Sequence, residues 1–441
     1  MVRPRLYFLH AETAANNLKK KTLILLATIL FSCLPTGGPR HDGTAAADDS
    51  TAYLTPLAGE PCTINCFGRS VDIPARDRDN TLALTLGGTL FTPDLAGHAA
   101  LPMGAVYWKH RWGDIRVRGI FSGLVNEVDA SKTRGLFQLL GHLDNTTIPF
   151  ARAEIVDGQE VEGTSITWGT ASARAGVGVR LPVAPFQTDN DLRVQLFYQT
   201  TYLYSGRVAE TSPTVALPPD TVEHGPLLRI RYDGMRRNLM ELPHSGVAAG
   251  FDAGFMRRNR WSDANYGGAV YPGAETRDYL KLSGYVTVAS GIPFLSQKNR
   301  LLASIYGGVA PYGTLDRFSA FRIGGGPIPC ESDDLARLVF PGAMFSQFPA
   351  SDYLLGALEY RRELLPFLYL HLRGTYGRLT RTVFTDPRAL STTGHGEAYS
   401  VALTSGFLWN SELHVEYSYD TKFLRNGTPG GNVILLWSKS F

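Results

Sequence analysis

The sequence predicts an all-β protein, a transmembrane antiparallel β-barrel of about sixteen strands. Three observations predict this fold. The composition is rich in aromatic residues (11%) and poor in charged ones (19%, against a usual share of about 25%). Apolar and polar residues alternate along most of the chain, and the last residue is an aromatic that closes one such segment. The same composition excludes bulk disorder, and a net charge of +3 is too small to indicate nucleic-acid binding.

Residues 1–33 are predicted to be an extension followed by a signal peptide. Lys19, Lys20 and Lys21 precede the apolar run 22–31, and a basic region before a short apolar run is typical of a secretory signal. This run is too short to cross a bilayer as a helix. Cys33 ends a segment that resembles a lipoprotein cleavage box, which leaves its lipidation open. Residues 34–79 then form a short segment before a barrel at 80–441.

Two cysteines, Cys62 and Cys66, lie close together in this N-terminal segment. In an exported protein a local disulfide between them is chemically permitted, and two free thiols are the alternative. A metal site would need further ligands, and no histidine lies between residues 42 and 97. We therefore expect no metal and no cofactor.

From about residue 80 onward the alternation runs in segments of about ten residues. In one of them Leu413, Val415 and Tyr417 alternate with His414 and Glu416. Successive side chains of a strand point to opposite faces, so each segment has one apolar and one polar face. A soluble sandwich would bury the apolar face, whereas a membrane barrel turns it to lipid. The segment length favours the barrel, since soluble strands average about five or six residues.

Aromatic residues recur at the segment ends, where the girdles of a membrane barrel lie. The tryptophans among them are Trp108, Trp112, Trp168, Trp261 and Trp409. The predicted strands cover residues 80–91, 101–110, 114–125, 135–147, 165–181, 191–205, 223–234, 245–258, 278–289, 299–310, 317–325, 352–363, 367–378, 397–408, 411–419 and 432–441. The turn after each even-numbered strand should be short, but the connections at 206–222 and 259–277 are long for that rule.

The C-terminus resembles the assembly signal of bacterial outer-membrane barrels. Its outward-facing residues are Val433, Leu435, Trp437 and the terminal Phe441. This resemblance implies contact with outer-membrane lipid and with the barrel-assembly machinery during biogenesis. Pro429, Gly430 and Gly431 precede the last strand, and Gly87 and Gly88 lie in the first. Because proline lacks a ladder donor and glycine weakens strands, the seam between these strands is predicted to be the weak point.

Residues 242–361 resemble the barrel of the outer-membrane assembly and translocation superfamily, which includes BamA-type insertases and bacterial surface antigen barrels. The segments LPHSG at 242–246 and DYLKL at 278–282 open two strands. Phe321, Gly324 and Gly325 form a Phe-x-x-Gly-Gly motif that closes the strand 317–325. A long loop, 327–351, follows at the position of the family's sixth extracellular loop. Glu359-Tyr360-Arg361 then resembles the family's next strand.

The resemblance implies a bacterial outer-membrane protein that handles protein or lipid substrates, rather than an enzyme. The family's Arg-Gly-aromatic loop tip is missing from 327–351, and strand 367–378 has no acid to pair with it. We therefore expect this loop to be independent of that strand. Segment 34–79 has no room for a periplasmic POTRA module, which implies a separate periplasmic partner protein. A passive porin-like channel or a structural outer-membrane protein remains the alternative.

The candidate site residues are lumenal charges and a loop helix. The predicted lumenal charges, which would brace the wall or filter solutes, are Arg322, Glu359, Arg361, Arg373 and Glu416. In the loop, Glu331, Asp333 and Asp334 could cap a short helix that ends near Val339, and Arg337 is the only arginine there. His371 and His414 lie on predicted lumen faces, and lining a wet lumen explains them better than a Ser–His catalytic pair.

Overall fold

The computed structural model describes residues 55–441 except for short gaps. These gaps are 59–60, 67, 74–76, 78, 96, 148–152, 154, 157–158, 161, 188, 267–268, 326–333, 345–346, 386–387, 407–410, 422–423 and 425–427. The predicted signal peptide and Cys33 lie outside the described residues, as do Glu331, Asp333 and Trp409.

The described chain forms a closed antiparallel barrel of sixteen strands. In chain order they are β1 Thr81–Leu95, β2 His98–Trp112, β3 Ile115–Phe121, β4 Val125–Arg134, β5 Phe137–Thr147, β6 Ile166–Pro182, β7 Asp191–Arg207, β8 Thr221–Asp233, β9 Pro243–Arg258, β10 Asp278–Gly291, β11 Asn299–Tyr312, β12 Asp352–Leu365, β13 Leu368–Thr385, β14 Arg388–Gly406, β15 Ser411–Asp420 and β16 Gly430–Ser440. The two-residue strand Arg236–Arg237 continues β8 along β9. Strand β16 pairs with β1 and closes the barrel.

The barrel wall has an apolar outside and a largely polar inside. In β1, Leu82, Leu86 and Leu90 are exposed, whereas Ala83 and Thr85 between them are buried. Strand pleating puts alternate side chains on opposite faces, so the apolar set covers the outside in the way that lipid requires. The predicted outward positions Val433, Leu435, Trp437 and Phe441 are likewise exposed. No helix within the described residues has the length and apolar character to span a membrane.

The predicted number of strands is confirmed, but one predicted strand is wrong and one strand of the barrel was not predicted. Residues 125–134 form β4, a strand that the alternation of apolar residues did not predict. Residues 317–325 are not a barrel strand: only Phe321–Ile323 is extended, and it pairs with Phe348–Ala350 inside the connection between β11 and β12. One missed strand and one extra strand cancel in the total.

The missed β4 also explains the connection lengths that did not fit. With β4 included, the long connections 148–165, 208–220, 259–277 and 313–351 all follow odd-numbered strands. They therefore lie together at one end of the barrel, which we call the long-loop end. The turns 113–114, 135–136, 183–190, 234–242, 292–298 and 366–367 lie at the opposite, short-turn end.

A small hairpin precedes the barrel, with Cys62–Cys66 paired to Arg69–Ile73. The two cysteines lie at opposite ends of one strand. Four residue steps of extended chain span about 13 Å, beyond the Cα separation of about 7 Å that a disulfide tolerates. The disulfide suggested by the sequence does not fit this hairpin, and Cys62 is a free thiol.

Candidate functional site

The connection 313–351, which we call the lumen plug, folds into the barrel. A parallel bridge joins Gly324 to Val339, and Phe340 N–H donates to the Gly324 carbonyl at 2.9 Å. Gly325 N–H donates to the Met344 carbonyl at 3.1 Å. A Cβ on Gly325 would lie 2.2 Å from the Ala343 carbonyl oxygen. The Phe-x-x-Gly-Gly motif therefore builds the base of the plug, where glycine permits close backbone approach.

Phe340 is the central side chain of the plug and is fully buried. It belongs to one apolar cluster with Leu355 of β12, Leu379 of β13 and Leu424 of the connection 421–429. A Cβ on Gly377 of β13 would lie 3.1 Å from the Phe340 ring. Tight packing of this kind fixes the plug against the wall.

The plug also contacts β13 through a polar group. The Arg373 guanidinium donates to the Val339 carbonyl at 3.4 Å. The expectation that the loop is independent of β13 is therefore wrong. Strand β13 holds the loop through a backbone carbonyl and through packing at Gly377, neither of which needs the acid that its sequence lacks.

A 3₁₀ helix, Asp334–Ala336, carries the plug deep into the barrel. Leu335 packs against Met235, Ala289 and Leu302. These residues lie at the short-turn end, because Ala289 is near the end of β10 and Leu302 near the start of β11. The plug enters from the long-loop end, so it extends through most of the length of the lumen.

A buried ion pair fastens the start of the plug to the wall. The fully buried Arg258, at the end of β9, contacts Asp316 through two nitrogen–oxygen pairs at 2.7 and 3.1 Å. It also contacts Glu223 at 3.2 Å and lies over the Trp261 ring at 3.9 Å. We call this pair the latch. This pair could not be predicted from the sequence, because neither residue belongs to a recognisable motif.

Asp316 is held ionised by its surroundings. Burial alone would raise the pKa of its carboxyl, but the Arg258 guanidinium and hydrogen bonds from Ser319 outweigh burial, so the pKa lies below its ordinary value. Both Ser319 N–H and the Ser319 hydroxyl donate to Asp316 Oδ1, at 2.9 and 2.8 Å.

Four of the five predicted lumenal charges lie on the inner wall. Glu359 accepts from Arg361 at 2.8 Å and contacts His371 Nδ1 at 2.9 Å. Glu416 contacts His414 at 3.4 Å, and the second nitrogen of His414 lies 2.9 Å from the Thr404 hydroxyl. Glu359 and Arg361 thus form an ion pair on the inner wall. The fifth charge, Arg322, lies in the plug rather than on a strand and stacks on the Trp168 ring at 5.1 Å.

The short-turn end is closed by the turn 234–242, which we call the mouth turn. Asn238, Met235 and Met240 are buried. A Cβ on Gly406 of β14 would lie 2.2 Å from Met240 Cε, although β14 is five strands away from β9. The Arg361 guanidinium donates to the Pro243 carbonyl at 2.7 Å. The mouth turn therefore bends inward across the opening of the barrel.

A second segment, Thr55–Ala58, lies along the mouth turn and is called the strap. Leu57 pairs with Asn238 in an antiparallel bridge. Ala58 N–H donates to the Arg237 carbonyl at 3.1 Å, and Leu239 N–H donates to the Pro56 carbonyl at 2.9 Å. Further contacts of the strap reach the turn 183–190 and the end of β12.

The lumen beside the plug is lined by charges from β2 to β8. A cavity of about 120 Å³ remains there. Its charged lining residues are Lys109, Arg116, Arg118, Arg180, Arg193 and Arg229, with Asp129, Asp189, Asp191 and Asp233. Near it, the ligand atoms of Glu127, Asp129 and His142 lie within 4.8 Å of one another. Arg118 binds both carboxylates and His142 contacts Asp129 and Asp144, so this group is neutralised by its own ion pairs.

Not every predicted loop residue can be placed. Asp334 begins the 3₁₀ helix, but its side chain lies outside the described residues, as do Glu331 and Asp333. Arg337 follows this helix and is half-buried. Among the described residues, Asp316 and Arg373 make polar contacts between the plug and the wall.

Solved structures share this fold. BamA from Haemophilus ducreyi lacking POTRA domains 1–3 matches 87% of this chain and 75% of its own, with a TM-score of 0.51 and 11% identity. CdiB from Acinetobacter baumannii matches 88% of this chain and 66% of its own, with a TM-score of 0.50 and 10% identity. This chain thus spans about two thirds of that CdiB. No family model and no curated protein matches the sequence. The resemblance inferred from the sequence is confirmed at the level of the fold.

Proposed function

We propose that this protein is a bacterial outer-membrane β-barrel that handles protein or lipid substrates together with a separate periplasmic partner. In this proposal the long-loop end faces outward and the short-turn end faces the periplasm, as in bacterial barrels generally. The barrel contacts outer-membrane lipid and is inserted by the barrel-assembly machinery. The role needs binding surfaces and movable segments but no catalytic side chain.

The lumen plug is the observation that carries this proposal. Sixteen-stranded porins leave an aqueous channel, whereas here the plug, with the fully buried Phe340 at its centre, packs inside the barrel against β12 and β13. The mouth turn and the strap cover the other end. A lumen that holds a folded plug suits regulated handling of a substrate better than steady diffusion of solutes.

A passive channel is the second candidate, and the charge-lined cavity beside the plug favours it. A volume of about 120 Å³ holds a few waters, and charged walls are suited to filtering ions. Its lining residues lie on β2 to β8 and in the turn 183–190, and none of them belongs to the plug or to the mouth turn.

Conductance in planar lipid bilayers tests the proposal. The purified protein should stay closed or flicker briefly, and a variant lacking residues 326–347 should open in large, stable steps. The matched control removes the hairpin 264–271 from a different long connection and should remain closed. A steady open current from the unaltered protein would favour the passive channel and end the proposed closed resting state.

A further inference from the structure

The strap occupies a site formed by backbone groups of the mouth turn. Its pairing uses the Arg237 carbonyl and the Leu239 N–H, two residues apart on one edge. Gln187 adds a third backbone contact, because its Nε2 donates to the Ala58 carbonyl at 3.2 Å. The Gln187 side chain also accepts from Arg237 N–H at 3.4 Å. The site thus binds the main chain of an extended segment, as in β-strand addition.

Side-chain selection in this site is limited to its two ends. The Thr55 hydroxyl donates to Glu363 Oε2 at 2.9 Å. At the other end Ala58 is 3% exposed, so only a small side chain fits there. Leu57 between them is half-buried. A ligand would be an extended segment with a hydroxyl residue, two unrestricted residues and a small residue.

The strap supplies the partners of two backbone groups of the mouth turn, the Arg237 carbonyl and the Leu239 N–H. With the strap in place, Asn238 is 2% exposed, Arg237 is 7% exposed and Leu239 is half-buried. Buried backbone groups need partners. Asn238 Oδ1 accepts from Met240 N–H and Leu242 N–H at 3.0 Å each, which keeps the turn folded with or without the strap. Whatever displaces the strap must therefore offer the same N–H and carbonyl pattern.

We propose that the mouth turn, with Gln187 and Glu363, is a binding site for an extended segment of polypeptide, and that the strap is an internal occupant which this segment displaces. The inference rests on the proposed function, because the short-turn end is where a polypeptide in the periplasm would meet the barrel. The described residues 55–58 of the strap make four hydrogen bonds to this site, and an incoming strand can replace these bond for bond. Displacement would uncover the mouth and couple arrival of the polypeptide to opening.

The test uses the full chain in detergent and a fluorescent capped peptide, Thr-Pro-Leu-Ala. In the unaltered protein the strap competes, so binding should be weak. Ala58→Pro removes the N–H that donates to Arg237 and should tighten peptide binding about tenfold or more. Leu57→Pro is the matched control, because the bridge leaves the Leu57 N–H pointing away from the mouth turn, and its binding should resemble that of the unaltered protein.

Peptide variants make the result specific. N-methylation of the peptide alanine removes the same donor from the ligand and should abolish binding to Ala58→Pro, and a peptide with tryptophan in that position should fail as well. Equal binding by the unaltered protein and Ala58→Pro, or unchanged binding of the N-methylated peptide, would overturn the proposal. If Ala58→Pro does not fold, Thr55→Val frees the strap from Glu363 and should give a smaller increase in affinity, with Thr63→Val in the hairpin as its control.

The peptide assay is independent of the proposed function. It measures occupancy in detergent without transport or conductance, so steady conduction by the protein would end the closed-lumen proposal and leave the binding site standing. Conversely, a closed lumen together with no peptide binding in any strap variant would remove the site and leave the proposed function. Competition by reduced, carboxymethylated α-lactalbumin, an unfolded polypeptide, extends the result beyond the short peptide: it should displace the fluorescent peptide from Ala58→Pro, and folded lactalbumin should not.

Discussion

Replacing Asp316 by asparagine should release the lumen plug at its start. The substitution keeps the size of the side chain and one acceptor oxygen, but it removes the charge that faces the fully buried Arg258. Removing one partner of a buried ion pair typically costs about 3–5 kcal/mol, because the other charge stays buried. Glu223 remains 3.2 Å from Arg258 as a second counter-charge. We therefore expect a loss near the lower end, about 3 kcal/mol.

Two measurements follow this loss. Urea unfolding of the refolded barrel gives the free energy of unfolding, and limited proteolysis reports the release of the plug. Asp316→Asn should lower the free energy of unfolding and speed cleavage within 327–351. Replacement of the exposed Asp94 by asparagine should change neither the free energy nor the cleavage rate. A cost below about 1 kcal/mol for Asp316→Asn would refute the reasoning, since it would place the pair among exposed ones.

The same pair gives a pH dependence with a definite sign. The folded-state pKa of Asp316 is lowered, and the unfolded value lies near 3.9. Because the folded-state pKa is lowered, the stabilisation of the folded state by the Asp316 carboxylate is complete above about pH 5 and is lost as the pH falls through the folded-state pKa. Proteolysis of the plug should therefore rise below about pH 4 in the unaltered protein, and Asp316→Asn should lose this dependence.

The remaining predictions concern the packing of the plug and the seam. Gly377→Val would place methyl groups against the Phe340 ring, which would lie only 3.1 Å from a Cβ at this position. The resulting overpacking should cost about 1–3 kcal/mol and loosen the plug, which faster proteolysis would show. Gly374→Val is the control, because the nearest atom to a Cβ there lies 3.7 Å away. At the seam, Thr85→Cys with Ser438→Cys replaces two hydroxyl oxygens 2.6 Å apart. Mild oxidation should crosslink this pair and shift its mobility on gels, and the absence of a crosslink would contradict the observed register.

The fold class could be predicted because the alternation is strong where one strand face meets lipid. The alternation did not identify β4, because its sequence VNEVDASKTR carries only two valines among mostly polar residues. Lumenal Glu127 and Asp129 pair with Arg118 of β3, and such long-range partners leave no mark on local periodicity. The outward face of this strand is only weakly apolar, so the pattern that revealed the other strands was missing.

The opposite error, a strand predicted at 317–325, also has a physical cause. Phe321 and Ile323 are buried within the plug, and a short extended segment buried inside protein shows the same alternation as one that faces lipid. The lumenal charges of the candidate site could be predicted because alternate positions of a strand face the lumen, so the apolar positions of a strand show which charges face inward. The latch could not be predicted, since Arg258 and Asp316 are 58 residues apart and only the folded connection brings them together.

The seam between β1 and β16 shows how glycine can mislead a prediction of weakness. Pairing runs without interruption from Gly431 opposite Thr92 to Ser440 opposite Ala83. A Cβ on Gly87 would lie 2.0 Å from the Leu435 carbonyl oxygen, so the missing side chain lets the two strands approach rather than loosening them. By contrast, β2 pairs with β3 only over residues 106–112. The glycines are therefore no argument for weakness at the seam, and the plug and the strap, which lie outside the strand ladder of the barrel, are better placed to move.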